Sequence, residues 1–290
     1  MSSAINKKEY VIYSYKTGEI VATLDKYEHD QKIQKAVNAY KWANKHEEKF
    51  VFAHMEAVKD IISVLTRPQR GLLLLLQTYA DYEGILRNTA LRKRDKTVMT
   101  NADIMKVLGI SKQTYSDFLS NCLKNHIIIK GDGGCYKLNN KYHFRGKMKD
   151  GDNTVKIWRT EVRSMKDKVS YANLGLLYDL IPHIHFTTNT ICANPYETDP
   201  TKIKKLNKKE ICELLDISHH TFNRLLVMIY DGKAVLAEVK ILRKYKSYLI
   251  NPWVFYRLDG RPNDGLIEEE VDPYQPEKTL RSIFSLKDKE

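Results

Sequence analysis

Two stretches of this chain overlay without a gap. Thr100-Asn-Ala-Asp-Ile-Met-Lys-Val-Leu-Gly-Ile-Ser-Lys-Gln-Thr-Tyr115 matches Asn207-Lys-Lys-Glu-Ile-Cys-Glu-Leu-Leu-Asp-Ile-Ser-His-His-Thr-Phe222 at an offset of 107 residues. Ile104 meets Ile211, Leu108 meets Leu215, Ser111 meets Ser218 and Thr114 meets Thr221. The likeness continues downstream, where Ile127-Ile-Ile129 faces Ala234-Val-Leu236 and Leu138 to Phe144 faces Leu249 to Phe255. Upstream, Thr66 and Gly71-Leu-Leu-Leu-Leu-Leu76 resemble Ser170 and Gly175-Leu-Leu-Tyr-Asp-Leu180 at an offset of 104. Self-similarity of this kind means one supersecondary unit built twice, so every assignment made in one copy must hold in the other.

The periods within each copy spell out the same elements. In the first, Thr66 is an N-cap with Pro68 in the opening turn of a helix that runs to about Asp81. Thr100 caps a short helix with Ile104 and Leu108 on one face, and Gly109 supplies the left-handed residue that ends it. Ser111 caps a third helix with Tyr115, Phe118 and Leu119 turned inward. Ile127 to Lys130 and Tyr136 to Leu138 then read as strands joined by Gly131-Asp-Gly-Gly134. In the second copy the helices are expected at Ser170 to about Ile181, Asn207 to Leu215 and Ser218 to Tyr230. Its hairpin strands are expected at Val235 to Leu242 and Tyr248 to Ile250. Three helices followed by a β-hairpin is the winged helix-turn-helix arrangement.

The expected fold is therefore mainly α with small β-hairpins, an α+β chain of tandem winged helices. A hairpin-and-helix arm spans residues 1–55, the first winged helix 56–146, a connector 147–168, the second winged helix 169–258 and a flexible acidic tail 259–290. In the arm, Tyr10-Val-Ile-Tyr-Ser-Tyr15 and Ile20-Val-Ala-Thr-Leu24 flank the turn signal Lys16-Thr-Gly-Glu19, and Asp25 caps a polar helix. Val155-Lys-Ile-Trp158 is a candidate strand in the connector.

Charge points to a partner. The formal net charge is +12, but residues 259–290 carry nine acids and five bases, which leaves +16 on residues 1–258. A basic body with an acidic tail attracts polyanions at long range. On the third helix of the first copy Lys112, Gln113, Thr114 and Ser116 face outward, and on that of the second His219, His220, Asn223 and Arg224 do so. These side chains hydrogen-bond to base edges and phosphates and form no apolar stripe for protein packing. The hairpins add Lys130 and Lys137, and Arg243, Lys244 and Lys246 beside Tyr245. The thirteen polar and basic residues named here are the expected DNA contacts.

Other classes fit less well. The longest apolar run, Leu72 to Leu76, is far short of a membrane span, and no signal-peptide pattern opens the chain, so a cytoplasmic location is expected. Cys122, Cys135, Cys192 and Cys212 form no CxxC pair, so ordinary thiols are expected rather than a zinc site or disulfide framework. The GxxxxGK[ST] phosphate loop is absent. His183-Ile184-His185 has the spacing of a metal-dependent nickase, but it follows Pro182 at the exit of a helix, where two imidazoles do not share a strand face. No catalytic residue, metal or cofactor is assigned, and the chain is expected not to be an enzyme.

The first copy, from Lys16-Thr-Gly-Glu19 through Asp103-Ile-Met-Lys-Val-Leu-Gly-Ile-Ser111 to Tyr136-Lys-Leu-Asn-Asn-Lys-Tyr-His-Phe-Arg-Gly146, resembles the winged-helix replication initiators of Firmicute plasmids, the RepL type. The second copy departs from that type, and the tandem of winged helices resembles two-domain initiators of iteron plasmids and some phage-encoded regulators. The resemblance implies sequence-specific binding of double-stranded DNA at an origin of a plasmid or phage. A transcriptional repressor or activator at an operator is the alternative, and a protein-interaction adaptor or nickase ranks behind both. Two copies on one chain imitate a dimer, so half-sites about one helical turn apart are expected, with no requirement for a palindrome. Leu280, Ile283, Phe284 and Leu286 in the tail either fold back on the body or offer a docking peptide for host replication or transcription proteins, and the arm either covers the first copy or pairs with a second chain.

Overall fold

The computed structural model describes residues 11–13, 20–23, 50–88, 97–148, 153–230, 233–241, 245–258 and 262. Arg243, Lys244, the helix expected after Asp25 and the tail other than Pro262 lie outside them. The chain divides into two compact units, residues 1–48 and 49–290. In the first, β1 (Val11–Tyr13) pairs antiparallel with β2 (Ile20–Thr23), Val11 opposite Thr23.

The second unit mixes helices with small antiparallel sheets, and both copies lie within it. The first copy runs β3 (Phe50–His54), α1 (Met55–Val64), α2 (Arg67–Leu76), a 3-10 turn at Gln77–Tyr79, α3 (Asn101–Leu108), α4 (Lys112–Lys124), β4 (Ile128–Lys130), β5 (Tyr136–Leu138) and β6 (His143–Phe144). The second runs β7 (Thr154–Trp158), α5 (Arg159–Ser164), α6 (Tyr171–Leu180), a 3-10 turn at Ile181–His183, α7 (Lys208–Leu215), α8 (His219–Leu226), β8 (Ile229–Tyr230), β9 (Lys233–Ala234), β10 (Leu236–Ile241), β11 (Tyr245–Ile250) and β12 (Phe255–Tyr256). The copies therefore agree in order from their first strand onward, except that the second inserts the β8–β9 pair before its hairpin. The repeat begins well before Thr66, at Phe50 and Thr154.

Local chemistry explains the boundaries. Thr100 and Asn207 each close a capping box, with Asp103 and Glu210 returning the bond to the cap's own N–H. Ser111 and Ser218 accept from the N–H groups of Thr114 and Thr221. α3 ends on Gly109 at φ 62°, and α7 ends on Asp216 at φ 48°, the same left-handed position filled by a residue with a Cβ. Exchanging them should give opposite signs: Asp216→Gly is expected to stabilise by about 0.5 kcal/mol and Gly109→Asp to cost about 1 kcal/mol. Urea midpoints check this, and a loss in both variants would rule out strain at residue 216.

Three differences from the sequence reading are informative. α8 stops at Leu226 instead of Tyr230, because Ile229 and Tyr230 turn back to pair with Ala234 and Lys233. Residues 147–168 hold the expected strand as β7 and, beyond that expectation, the helix α5. The Phe50–His54 segment, grouped above with the arm, is the start of the second unit. It pairs with β7, 104 residues away, in a four-stranded sheet of order β12-β7-β3-β6.

α2 and α6 pack closely against each other. A Cβ on Gly71 would stand 2.0 Å from the Tyr171 carbonyl oxygen, and one on Gly175 would stand 2.0 Å from that of Arg67. Only glycine allows backbones this close. One apolar core runs through both copies, from Ile61, Leu72 and Phe118 to Leu177, Phe222 and Tyr248. His143 and Tyr178 tie the copies across it, Nε2 lying 2.9 Å from the hydroxyl. Burial pushes the His143 imidazole down to about 3, so the ring in this bond is neutral. Among the described residues no helix is long and apolar enough to cross a membrane.

Candidate nucleic-acid interface

In each copy a short antiparallel hairpin follows the third helix. β4 pairs with β5, Ile129 opposite Lys137, and β10 pairs with β11, Lys240 opposite Lys246. A single-residue bridge adds a third strand position to each, Ile85 to Lys137 and Thr190 to Leu249. Further bridges recur at matching places, Ala80 to Leu86 with Ile184 to Ile191, and Arg87 to Val98 with Cys192 to Lys205. The hairpin is thereby held against the segment that joins the first and second helices.

On α4, Tyr115, Phe118 and Cys122 are buried, which leaves Lys112, Gln113, Thr114 and Ser116 exposed on the opposite face. Thr114 closes the helix start, its hydroxyl 3.0 Å from that of Ser111. Gln113 donates to Asp117 Oδ1 at 3.0 Å. Lys130 is exposed at the end of β4, and Lys137 is half-buried in β5. On α8, Phe222 and Leu225 face inward while His219, His220, Asn223 and Arg224 are exposed. Arg224 occupies the place that Asp117 holds in the first copy, so the second helix presents the more cationic face.

The second copy also gathers cations that the repeat alignment passed over. A groove of about 1020 Å³ is lined by Lys204, Lys205, Lys208, Lys209, His219 and Lys246. It thus joins two residues singled out from the sequence, His219 and Lys246, to four lysines that were not. Lys208 donates to Asn223 Oδ1 at 2.8 Å, which couples α7 to the exposed face of α8. Glu210, the one acid among the described lining residues, is occupied by the capping bond from the Asn207 N–H at 2.7 Å. Lys246 lies 2.8 Å from Glu238 Oε1. Burial raises the Tyr248 phenol above its ordinary value and Glu238 adds to the shift, so the hydroxyl stays protonated and donates to Glu238 Oε2 at 3.1 Å. Asn207 to Glu210 at the start of α7 and His219 at the start of α8 line this groove, where the positive end of each helix dipole favours anions. The available signal was the run Thr201-Lys-Ile-Lys-Lys-Leu-Asn-Lys-Lys209, with five lysines in nine residues.

His183 and His185 have different surroundings. His183 lines a separate polar cavity with Glu56, Lys59 and Tyr196, and burial lowers its imidazole. His185 is buried, with Nε2 2.8 Å from the Glu197 carbonyl oxygen and Nδ1 near the hydroxyls of Thr187 and Thr188. Among the described residues no group of three or more His, Cys, Asp or Glu is placed to hold a metal ion. No protein-family model matches the chain, and neither a curated protein nor a solved structure matches it.

Proposed function

We propose that the chain is a sequence-specific double-stranded DNA-binding protein in which two winged helices, one per copy, each offer a third helix to a major groove. The observation that carries this reading is the recurrence of one exposed face. In both copies a serine-capped third helix turns polar and charged residues outward beside a β-hairpin, mostly neutral or basic, with Asp117 the acid on the first. The lysine groove of the second copy supplies the sequence-independent phosphate grip that such a reader needs. The resemblance to plasmid initiators makes replication initiation at an origin of a plasmid or phage the leading role. Repression or activation at an operator uses the same contacts.

Selection of bound sites from random duplexes tests the reading, followed by titration of the selected duplex at fixed salt. Lys112→Ala and Arg224→Ala are each expected to weaken the selected duplex about tenfold, with little change for a scrambled one. Lys204→Glu with Lys208→Glu should weaken both duplexes and lower the salt dependence by about one unit of slope per lysine lost. A pool with no enriched sequence, or variants that bind as the natural chain does, would remove the assignment. Iterated selected sites within an origin favour initiation, and one promoter-overlapping site favours regulation.

A further inference from the structure

The contact between the copies is a local two-fold. β3 and β7 pair antiparallel about Phe52 opposite Lys156, which are equivalent positions at the 104-residue offset. Every other pair is mirrored in the same way, Phe50 with Trp158 and His54 with Thr154. The approach of Gly71 to Tyr171 and that of Gly175 to Arg67 are likewise one contact seen from each side. The side chains repeat it: Arg67 donates to the Leu215 carbonyl at the end of α7, and Tyr171, the residue equivalent to Arg67, donates to the Leu108 carbonyl at the end of α3. Residue i meeting j while j meets i is the mark of an isologous interface, here made within one chain.

We infer that one chain reads a bipartite duplex whose two half-sites lie in inverted orientation, α4 on one and α8 on the other. The inference rests on the DNA-reading function proposed above. Copies related by translation along the duplex would read direct repeats. Copies related by a two-fold present their third helices in opposite senses, as symmetric dimers do on operators. The natural site hides this arrangement, because the two helices carry different residues at equivalent positions. Lys112, Gln113, Ser116 and Asp117 stand where His219, His220, Asn223 and Arg224 stand in the second copy. The half-sites are therefore inverted in layout and unlike in sequence, and a two-fold contact exists without a palindrome.

The test is to make the helices alike. All four positions on α8 are exposed, so His219→Lys, His220→Gln, Asn223→Ser and Arg224→Asp together give it the outward face of α4. The reciprocal set on α4, Lys112→His, Gln113→His, Ser116→Asn and Asp117→Arg, is the second route if the first variant does not fold. Selection from random duplexes with the full-length symmetrised chain should then enrich an inverted repeat, bound by one chain per duplex in native mass spectrometry. The same half-sites placed in direct orientation should bind about tenfold or more weakly. Enrichment of a direct repeat or a lone half-site, or two chains on each duplex, overturns the inference and leaves DNA reading standing. No enrichment by either the natural or the symmetrised chain removes the reading on which it rests.

Discussion

Arg70→Leu is expected to destabilise the fold by about 3–5 kcal/mol, the usual cost of leaving one partner of a buried ion pair behind. Arg70 Nε lies 2.5 Å from Asp179 Oδ1 and its terminal nitrogen 2.8 Å from Oδ2, with both side chains less than a tenth exposed. Arg70 also donates to the carbonyls of Ile62 and Leu65 and so closes the end of α1. Burial holds the Asp179 carboxyl above its ordinary value, and Arg70 opposes that shift. Without the guanidinium, Arg67 at 3.6 Å is the cation left beside it, and the carboxyl rises further. An acid whose native pKa is raised binds a proton that the unfolded chain releases, so stability falls as pH rises from about 4 through the native value. The deficit of Arg70→Leu should therefore be larger at pH 8 than at pH 5. Adding Asp179→Leu removes the stranded charge and should recover stability, leaving a deficit of about 2 kcal/mol for the two unanswered carbonyls. Chemical denaturation of the single and double variants at both pH values measures this. A double variant less stable than Arg70→Leu would show that the pair contributes through packing alone.

The same pair breaks the two-fold. At the 104-residue offset the positions of Arg70 and Asp179 correspond to Leu174 and Leu75, both buried. Pairing two first copies from different chains would set Arg70 against a leucine, and pairing two second copies would do the same to Asp179. The ion pair thus favours the union of unlike copies within one chain, the registry role that buried charges serve best.

What the sequence shows most clearly is what neighbours decide. Thr100, Ser111, Asn207 and Ser218 are legible as caps because their partners lie two or three residues away. The repeat likewise announces itself wherever both copies keep the same cap and core positions. It fades where only the hydrophobic pattern is kept, so Phe50–His54 and Thr154–Trp158, which share only Val51 and Val155, go unmatched. Their pairing depends on tertiary contact between strands separated by a whole module, and the single-residue bridges at Ile85 and Thr190 depend on contact across more than half of one. The end of α8 had a local signal in Asp231-Gly232, a hairpin pair that a continuing apolar run masks. In the groove, the four lysines contribute nothing to periodicity. They fall on a loop and a helix start, and β11 and α8 close round them only in the folded chain.

Gly71→Ala and Gly175→Ala are each expected to destabilise by about 3 kcal/mol, although alanine favours an isolated helix over glycine by about 1 kcal/mol. The added methyl group meets main-chain atoms: the carbonyl carbon of Tyr171 at 2.8 Å from one side and that of Arg67 at 2.8 Å from the other, with their oxygens closer still. Neither can rotate away as a side chain would, so α2 and α6 must part by more than an ångström before an ordinary carbon contact is reached. Parting them loosens the packing around Leu72 and Leu177 and draws Arg67 and Tyr171 away from the carbonyls of Leu215 and Leu108. Because the glycines are two halves of one contact, the displacement that accommodates one methyl group accommodates most of the other. The double variant should therefore lose little more than either single one, well short of the sum. Urea denaturation of the three variants decides it. Additive losses would mean that the helices give way separately at each glycine, and a gain in stability would mean that they do not pack through these residues at all.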